Sequence, residues 1–244
     1  MTTDTLRGRT ALVTGGSRGI GAAIVRALTE AGVTVAINYR ERAAEANMLV
    51  KVIGEAGGNA IALPADVSQA AAVAEMVQRV ESELGPIDIL INNAGVAITR
   101  DIQDLSETDF DQTIAVNLKS VFLCTQAVLP VMRSKGWGRI VNISSGAARG
   151  AGAIGPHYNA SKAGIEGLTR GYAARLVKEG ITVNAVAPSL IDTDMMKGQD
   201  HLVSRIPLGR FGKADEVAQA VMMLIGNPYM TGQTVAMSGG MAFN

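Results

Sequence analysis

The sequence predicts one α/β domain, in which helices cover both faces of a doubly wound parallel sheet of about seven strands. Short runs of β-branched and apolar residues alternate with longer segments of helical period, as in repeated βαβ units. Several of the short runs are apolar at nearly every position, which is expected of strands covered on both faces. The 244 residues, 48% of them hydrophobic, are enough for one sizeable core and few for two, so we expect a single domain over residues 1–244.

Each predicted element is bounded by turn residues. Strands are predicted at 10–14, 33–39, 60–64, 87–92, 138–144, 181–187 and 234–237. The intervening segments are predicted to be helical, including 106–132 and 158–179. Ser106, followed three residues later by Asp109, is typical of a helix N-terminus.

The longest predicted loop follows the sixth strand and runs from Ser189 to about Pro207. It contains Met195, Met196 and Leu202, and it should lie at the carboxyl edge of the sheet, where open α/β sheets bind ligands. We interpret it as a substrate lid, because irregular segments of this length are commonly functional. A plain surface excursion is the alternative.

The composition narrows the classes of partner. The 22 basic and 22 acidic residues cancel, and no block of five Lys or Arg occurs, so a nucleic-acid partner is not expected. Residues 1–7 lack an apolar targeting core, and no uninterrupted apolar run approaches the length of a membrane span. We therefore expect a soluble, cytoplasmic protein that has no membrane partner.

Metal and thiol chemistry are not expected either. Cys124 is the only cysteine, and it lies in an apolar helical pattern that is typical of a buried structural residue. His157 and His201 are far apart in the sequence, with no carboxylate at a ligand spacing, so we predict no metal site.

A glycine-rich turn joins the first predicted strand to the first helix. Glycines at such a turn let backbone N–H groups approach a pyrophosphate at the positive end of the helix. The spacing Gly-x-x-x-Gly-x-Gly differs from the commoner dinucleotide fingerprint, and a glycine-rich turn without a ligand is the alternative. We interpret the turn as part of a Rossmann-like cofactor site. The predicted cofactor contacts are Gly15, Ser17, Arg18, Gly19, Ile20 and Gly21.

The end of the second predicted strand indicates which dinucleotide binds. An acidic residue there would bind a ribose 2′-hydroxyl, but the chain reads Asn38, Tyr39 and Arg40, with Arg18 available from the glycine-rich turn. Two guanidinium groups without a carboxylate favour a 2′-phosphate. NADP(H) is therefore the predicted cofactor. The alternative for each arginine, taken alone, is a solvated surface side chain that binds no ligand.

Two more strand ends carry candidate cofactor contacts. Asp66, followed by Val67, is positioned to accept a hydrogen bond from an adenine amino group or to cap the next helix, and both roles are compatible. Asn93, Ala94 and Gly95 follow the fourth predicted strand. They line a cofactor groove or form an ordinary turn.

A hydroxyl, a phenol and an ammonium occur close together in the second half of the chain. Tyr158 and Lys162 stand four residues apart, so in a helix they lie on one face. A phenol has a pKa of about 10, and a nearby ammonium favours the phenolate. Ser145, just past an apolar strand, is positioned to hydrogen-bond the same oxygen. The group predicts proton transfer coupled to hydride transfer, whereas Tyr-x-x-x-Lys alone also occurs on solvated helix faces.

Together these motifs resemble the short-chain dehydrogenase/reductase family over practically the whole chain. The motifs Thr-Gly-x-x-x-Gly-x-Gly, Asn-Asn-Ala-Gly, a serine and Tyr-x-x-x-Lys occur in the family's order and spacing. Within the family the chain is most similar to bacterial 3-oxoacyl-acyl-carrier-protein reductases. That similarity is carried by residues 117–122, by Ala187-Pro188 with 192–195, and by 231–233 with 239–241.

The resemblance implies a role for each matching residue. Tyr158 would be the general acid, Lys162 would lower its pKa and hold the nicotinamide ribose, and Ser145 would steady the substrate oxygen. Asn117, mid-helix and otherwise a structural polar contact, would position a water molecule for proton resupply. Further implied cofactor contacts are Pro188, Ser189, Ile191 and Thr193. The implied assembly is a homotetramer.

The implied reaction is NADPH-dependent reduction of a 3-oxoacyl thioester, with acyl carrier protein as a candidate partner. Two departures from the family pattern weaken the carrier assignment. Ser189 stands where glycine is common, and the two basic carrier-binding positions align with Gly136 and Glu179, although Lys135 and Lys178 adjoin them. The alternatives are a reductase or dehydrogenase acting on another small ketone or secondary alcohol, and a nucleotide-binding regulator without turnover.

Overall fold

A seven-stranded parallel sheet forms the centre of the computed structural model, which describes residues 6–242. The expectation for the chain's first five residues lies outside that range. The strands, in chain order, are β1 (Thr10–Val13), β2 (Thr34–Tyr39), β3 (Ala60–Pro64), β4 (Ile89–Asn92), β5 (Gly138–Ile143), β6 (Ile181–Pro188), the short β7 (Ile191–Asp192) and β8 (Gly212–Lys213), and β9 (Thr234–Met237). The main sheet has the order β3-β2-β1-β4-β5-β6-β9, which confirms the predicted doubly wound architecture. Its order reverses between β1 and β4, where such sheets form a ligand crevice.

Seven α-helices between residues 6 and 242 cover the two faces of the sheet. They are α1 (Gly19–Glu30), α2 (Ala43–Glu55), α3 (Ala70–Leu84), α4 (Glu107–Ile114), α5 (Ser120–Lys135), α6 (Pro156–Leu176) and α7 (Ala214–Gly226). Alternate residues of one strand enter different cores: Val13 packs with α1, α2 and α7, whereas Leu12 packs with α3, α5 and α6. This double coverage explains why the strands are apolar at nearly every position.

The predicted elements differ from the observed ones mainly at their ends. The helix predicted at 106–132 is α4 and α5 joined by a π-helical turn, Ala115–Lys119, and it continues to Lys135. Its predicted N-terminus is confirmed, because the Ser106 hydroxyl accepts a hydrogen bond from the Asp109 N–H at 3.1 Å while the Asp109 carboxylate accepts one from the Ser106 N–H.

The segment predicted as one long loop has structure of its own. Ile191–Asp192 pairs in parallel with Gly212–Lys213, and two 3₁₀ turns, Asp194–Met196 and Asp200–Arg205, lie between these strands. The prediction of an irregular loop was therefore wrong. Two-residue strands and single turns are too short to produce a period in the sequence.

A chain of buried polar side chains ties the two central strands to the helices behind them. The Asn92 amide donates to the Asn142 oxygen at 2.8 Å, and the Asn142 amide donates to the Thr169 hydroxyl of α6 at 2.9 Å. Thr169 in turn donates to the Ile165 carbonyl at 2.8 Å. All these groups are buried, so each hydrogen bond replaces one that water would otherwise make.

The continuous helical stretch Glu107–Lys135 is long and apolar enough, by length and composition alone, to cross a membrane. The mean hydropathy of this stretch reaches 1.5. The search for uninterrupted apolar runs did not identify it, because polar residues interrupt the apolar ones. In the fold this stretch packs against α3 and α6, and Cys124, Val128 and Met132 lie in the core. We interpret it as a core helix of which one apolar face is uncovered.

We predict that Asn142→Ala lowers the free energy of unfolding by about 2–4 kcal/mol, because it removes the shorter of two acceptors of the buried Asn92 amide and the donor to the buried Thr169 hydroxyl. Urea unfolding measures the loss. The exposed Asn47→Ala on α2 is the control and should change stability by less than about 0.5 kcal/mol. Equal effects of the two substitutions would contradict the structural role of the network.

Candidate active site

A cavity of about 720 Å³ opens at the carboxyl edge of the sheet, beside the crevice between β1 and β4. Within the described chain, Asn117 is the one predicted site residue that does not line it. The others do so in chain order: Gly15, Ser17, Arg18, Gly19, Ile20, Gly21, Asn38, Tyr39, Arg40, Asp66, Val67, Asn93, Ala94, Gly95, Ser145, Tyr158, Lys162, Pro188, Ser189, Ile191 and Thr193. Residues predicted from separate motifs therefore share one cavity.

The sequence analysis missed several other lining residues. They are Glu41, Arg42, Val96, Ala97, Ile98, Val116, Ile143, Ser144, Asp194 and Met196. Half of them directly adjoin a predicted residue and the others lie two or three positions from one, so extending each motif by one to three positions would have found them. Met196 was noted in the predicted loop but was not assigned to the cavity.

The glycine-rich turn is packed too tightly to accept side chains at its glycines. Gly15 and Gly19 have φ angles of 60° and 54°, in the left-handed region that favours glycine. A Cβ atom on Gly21 would lie 2.3 Å from the Gly15 oxygen and 2.6 Å from the Asn93 amide nitrogen. The turn leads directly into α1, so the first N–H groups of that helix adjoin the cavity. This arrangement fits a dinucleotide pyrophosphate.

Asn93 braces this turn from the end of β4. Its amide nitrogen donates to the carbonyl oxygens of Thr14 and Gly15, at 3.0 and 2.9 Å. The Thr14 hydroxyl accepts from the backbone N–H groups of Asn93 and Ala94, both at 3.0 Å. The residues predicted to line a groove or form a turn therefore do both.

Both predicted phosphate-binding arginines are paired with carboxylates. An Arg18 guanidinium nitrogen lies 2.9 Å from an Asp194 carboxylate oxygen, and one of Arg40 lies 2.6 Å from a Glu41 oxygen. The predicted absence of a carboxylate therefore holds for the end of β2 but not for the surroundings of the two guanidinium groups. The prediction examined only the strand end and overlooked Glu41, which is next in sequence, and Asp194, which is distant in sequence. Since both ion pairs are exposed, each contributes little to stability. A phosphate can therefore replace either carboxylate as the partner of the arginine at little cost in free energy.

Asp66 closes a turn and does not cap α3. It accepts hydrogen bonds from the Ser68 N–H at 2.9 Å and the Ser68 hydroxyl at 2.7 Å, whereas α3 begins at Ala70 with Gln69 as its N-cap residue. Burial raises the pKa of Asp66, but the two hydrogen bonds from Ser68 and the charge of Arg40 together hold that pKa below its usual value. Asp66 is thus an ionised acceptor on the cavity wall.

Ser145, Tyr158 and Lys162 come from two elements that meet at the cavity. Ser145 follows β5, and its hydroxyl accepts from the Ala147 N–H at 3.2 Å. Tyr158 and Lys162 lie one turn apart on α6 and are 8% and 5% exposed. The Lys162 nitrogen lies 5.7 Å from the centre of the Tyr158 ring and donates to the Ile143 carbonyl at 2.9 Å. These positions place an acid, a hydroxyl and an amine around one end of the cavity.

Burial controls the acidity of the two titratable groups of this set. Burial raises the pKa of Tyr158, and interaction with the Ser145 hydroxyl offsets only part of that rise. Burial also lowers the pKa of Lys162 to about 8. The prediction that the ammonium lowers the phenol pKa was therefore wrong for this arrangement, because Lys162 is directed to the Ile143 carbonyl. The phenol stays protonated at neutral pH, as a proton donor requires.

Asn117 lies fully buried in the π-helical turn between α4 and α5. Its amide oxygen accepts from the Val96 N–H at 2.7 Å, and its amide nitrogen donates to the Val96 carbonyl at 3.0 Å and to the Ser161 hydroxyl at 3.1 Å. The structural polar contact considered for this residue is therefore present. Its role toward a water molecule stays a prediction.

An ion pair between an exposed arginine and a buried glutamate helps to fix the turn that carries Ser145. The Arg149 guanidinium donates to Glu166 of α6 at 3.0 Å, and the Ser144 hydroxyl donates to the Lys162 carbonyl at 3.2 Å. Glu166 is 5% exposed, so removing Arg149 would leave a buried carboxylate without its ionic partner. These contacts join the end of β5 to the helix that carries Tyr158.

We predict that the stability difference between the wild type and Lys162→Met depends on pH. The folded-state pKa of Lys162 is about 8, below its ordinary value of 10.5, so burying its charge destabilises the wild type below that range. Raising the pH from about 8 to about 10.5 should favour the wild type over the variant by about 3 kcal/mol. Urea unfolding of both proteins measures this, and a constant difference over that range would contradict it.

Known proteins match this chain over nearly its whole length. A family model described as short chain dehydrogenase matches residues 9–202. The 3-oxoacyl-[acyl-carrier-protein] reductase of Staphylococcus epidermidis is 40% identical over 242 residues, covering 96% of this chain and 98% of the relative. The corresponding reductase of Synechocystis is 41% identical over 243 residues, covering 97% and 98%. A short chain dehydrogenase from Burkholderia cenocepacia, solved in complex with NADP, has a TM-score of 0.91 at 40% identity and covers 97% of this chain and 98% of its own. This chain therefore belongs to the short-chain dehydrogenase family.

Proposed function

We propose that this NADP-dependent oxidoreductase reduces a 3-oxoacyl thioester to the 3-hydroxyacyl product. The observation that carries the proposal is the meeting of Ser145, a protonated Tyr158 and Lys162 in the cavity that the glycine-rich turn also lines. The names of the relatives from Staphylococcus epidermidis and Synechocystis supply the substrate class. An oxygen that gains a proton beside a dinucleotide fits the reduction of a carbonyl group.

The cofactor is assigned to the part of the cavity built by the glycine-rich turn and the strand ends. The N–H groups at the start of α1 would bind the pyrophosphate. Arg18 and Arg40 would leave their carboxylate partners and bind the 2′-phosphate instead. Asp66 would accept from the adenine amino group. Bound NADPH supplies the hydride that the carbonyl carbon gains.

The substrate oxygen is assigned to the space beside Tyr158 and Ser145. The Ser145 hydroxyl donates a hydrogen bond that holds the oxygen, and the Tyr158 phenol transfers its proton to that oxygen as the carbon–oxygen double bond becomes a single bond. Lys162 would hold the nicotinamide ribose next to the reacting centre. The phenolate then regains a proton from solvent, with Asn117 proposed to position the water molecule.

The proposal is tested with acetoacetyl-CoA and with an acetoacetyl thioester of acyl carrier protein, following NADPH oxidation by absorbance. We expect turnover in the wild type and a loss in kcat of about 100-fold or more in Tyr158→Phe, because only the proton donor is removed. NADPH affinity, measured by fluorescence, should change by less than about two-fold in the same variant. Failure of the wild type to turn over any of the offered thioesters would refute the thioester assignment.

A second candidate substrate is a small ketone that is not attached to a carrier protein. Arg133 binds Glu179 through two hydrogen bonds, at 2.7 and 3.2 Å, and Lys135 is paired with the buried Asp88. Of the two lysines that adjoin the carrier-binding positions, Lys135 and Lys178, the first is therefore already paired, which favours a carrier-free substrate. A ketone panel in the same assay, with rates above those of the thioesters, would support this second candidate.

Ser189 lines the cavity and packs against the turn that carries Ser145. A Cβ atom built on Gly146 would lie 2.4 Å from the Ser189 hydroxyl oxygen, so the two residues are in close contact next to Ser145. Both line or adjoin the wall where a glycine at 189 would leave more space. This feature favours a compact reacting group, whichever of the two substrates applies.

We further propose that the chain works in the cytoplasm as a homotetramer. The apolar helical stretch Glu107–Lys135 exposes Phe110 and Phe122, each 44% accessible, and association would cover this face. Phe122→Glu should therefore yield smaller species by light scattering, whereas Val52→Glu on the exposed face of α2 should not. A wild type of monomer mass would contradict the proposed assembly.

A further inference from the structure

A buried histidine lies next to Tyr158 and takes no part in the proposed reaction. His157 is 1% exposed, and its Nε2 atom lies 2.9 Å from the carbonyl oxygen of Ile98. A carbonyl oxygen only accepts hydrogen bonds, so Nε2 carries the hydrogen and donates it. The sequence analysis considered this histidine only as a metal ligand.

The accepting carbonyl belongs to residues 96–98, which we call the wall segment because all three line the cavity. The wall segment is neither helix nor strand, so the hydrogen bonds of regular secondary structure do not fix its position. Side chains do so at both of its ends. Asn117 binds the N–H and the carbonyl of Val96, and His157 binds the carbonyl of Ile98.

Both anchors are fixed to the helix that carries the reacting groups. His157 is the second residue of α6, and Asn117 donates to the Ser161 hydroxyl of the same helix. The wall segment, the phenol of Tyr158 and the amine of Lys162 are therefore positioned by one rigid element. Displacement of the wall segment would change the distance between substrate and phenol.

The imidazole ring is held in a single orientation. Gly155, with a φ angle of 146°, packs directly on it, since a Cβ atom there would lie 2.7 Å from the ring Cε1 and 2.9 Å from Nδ1. Within residues 6–242 the buried Nδ1 atom has no hydrogen-bond partner. Only the Nε2 donor therefore connects the ring to the wall segment.

We infer that His157 is a positioning residue, whose Nε2 donor fixes the wall segment against Tyr158 and thereby determines how tightly the carbonyl substrate is held. The inference rests on the proposed function for its substrate, but the anchoring itself does not. A side chain that offers a donor at the same distance from the backbone should replace the imidazole. A ring of similar size without the donor should not.

Three variants test the inference in the full-length protein. His157→Phe keeps a ring and removes the donor, His157→Gln keeps an amide nitrogen near the position of Nε2, and His157→Asn carries an amide too short to reach Ile98. We expect the Phe and Asn variants to raise KM for the ketone or thioester about ten-fold, because a buried carbonyl loses its donor. The Gln variant should restore KM to within about three-fold of the wild type.

Hydrogen–deuterium exchange gives a readout that does not require turnover. Amides of peptides covering residues 96–100 should exchange about ten-fold faster in the Phe and Asn variants and near the wild-type rate in the Gln variant. Tyr172→Phe is the matched control, because Tyr172 lies on the same helix as His157 but away from the cavity. The substitution removes the hydrogen bond that Tyr172 makes with Gln126 of α5. It should leave KM and the exchange of the wall segment unchanged.

The outcomes separate the inference from the proposed function. A wild type without activity, combined with faster exchange in the Phe and Asn variants and rescue by Gln, would overturn the function and support the anchoring. Unchanged exchange in both donor-deficient variants, or equal effects of Phe and Gln, would overturn the positioning role. If His157→Phe does not fold, as judged by circular dichroism, the comparison of His157→Asn with His157→Gln decides in the same way.

Discussion

The attachment of α6 to the end of β5 is the constraint on which the site depends. Lys162 donates to the Ile143 carbonyl, the Ser144 hydroxyl donates to the Lys162 carbonyl, and the Asn142 amide donates to Thr169. The last two residues of β5 and the residue after them are thus bound to two positions of one helix, Lys162 and Thr169. Because that helix carries the phenol and the strand leads into Ser145, the fold fixes the distance between acid and hydroxyl before any ligand binds.

The cavity has a different electrostatic character at each end. At the Tyr158 end, low accessibility disfavours both charged forms, so the phenol keeps its proton and the amine holds its proton less firmly. At the Arg18 and Arg40 end, exposed guanidinium groups pair with exposed carboxylates. The buried end suits proton transfer, and the solvent-exposed end suits the exchange of one anion for another.

The sequence predicted the fold and most of the cavity for a physical reason. Buried strands and glycine turns are local patterns, and the cofactor motifs and Ser145 follow the carboxyl ends of strands, so the topology brings them to one edge of the sheet. Tyr158 and Lys162 join them there because α6 packs against the end of β5. The sequence did not reveal that Asp194 reaches Arg18, because that contact joins residues 176 positions apart. It also gave the wrong direction for the Tyr158 pKa, since spacing on a helix does not show that Lys162 is directed to a backbone carbonyl.

The buried amine of Lys162 serves the proposed reaction at a cost in the stability of the folded protein. A cation held away from water makes the folded protein less stable than an apolar side chain of similar size would, so selection for turnover keeps this fold below its best attainable stability. A descendant that no longer needed the reaction would gain stability by losing the charge. Such a lineage would keep the glycine-rich turn and its brace, and the fold would persist as a dinucleotide sensor.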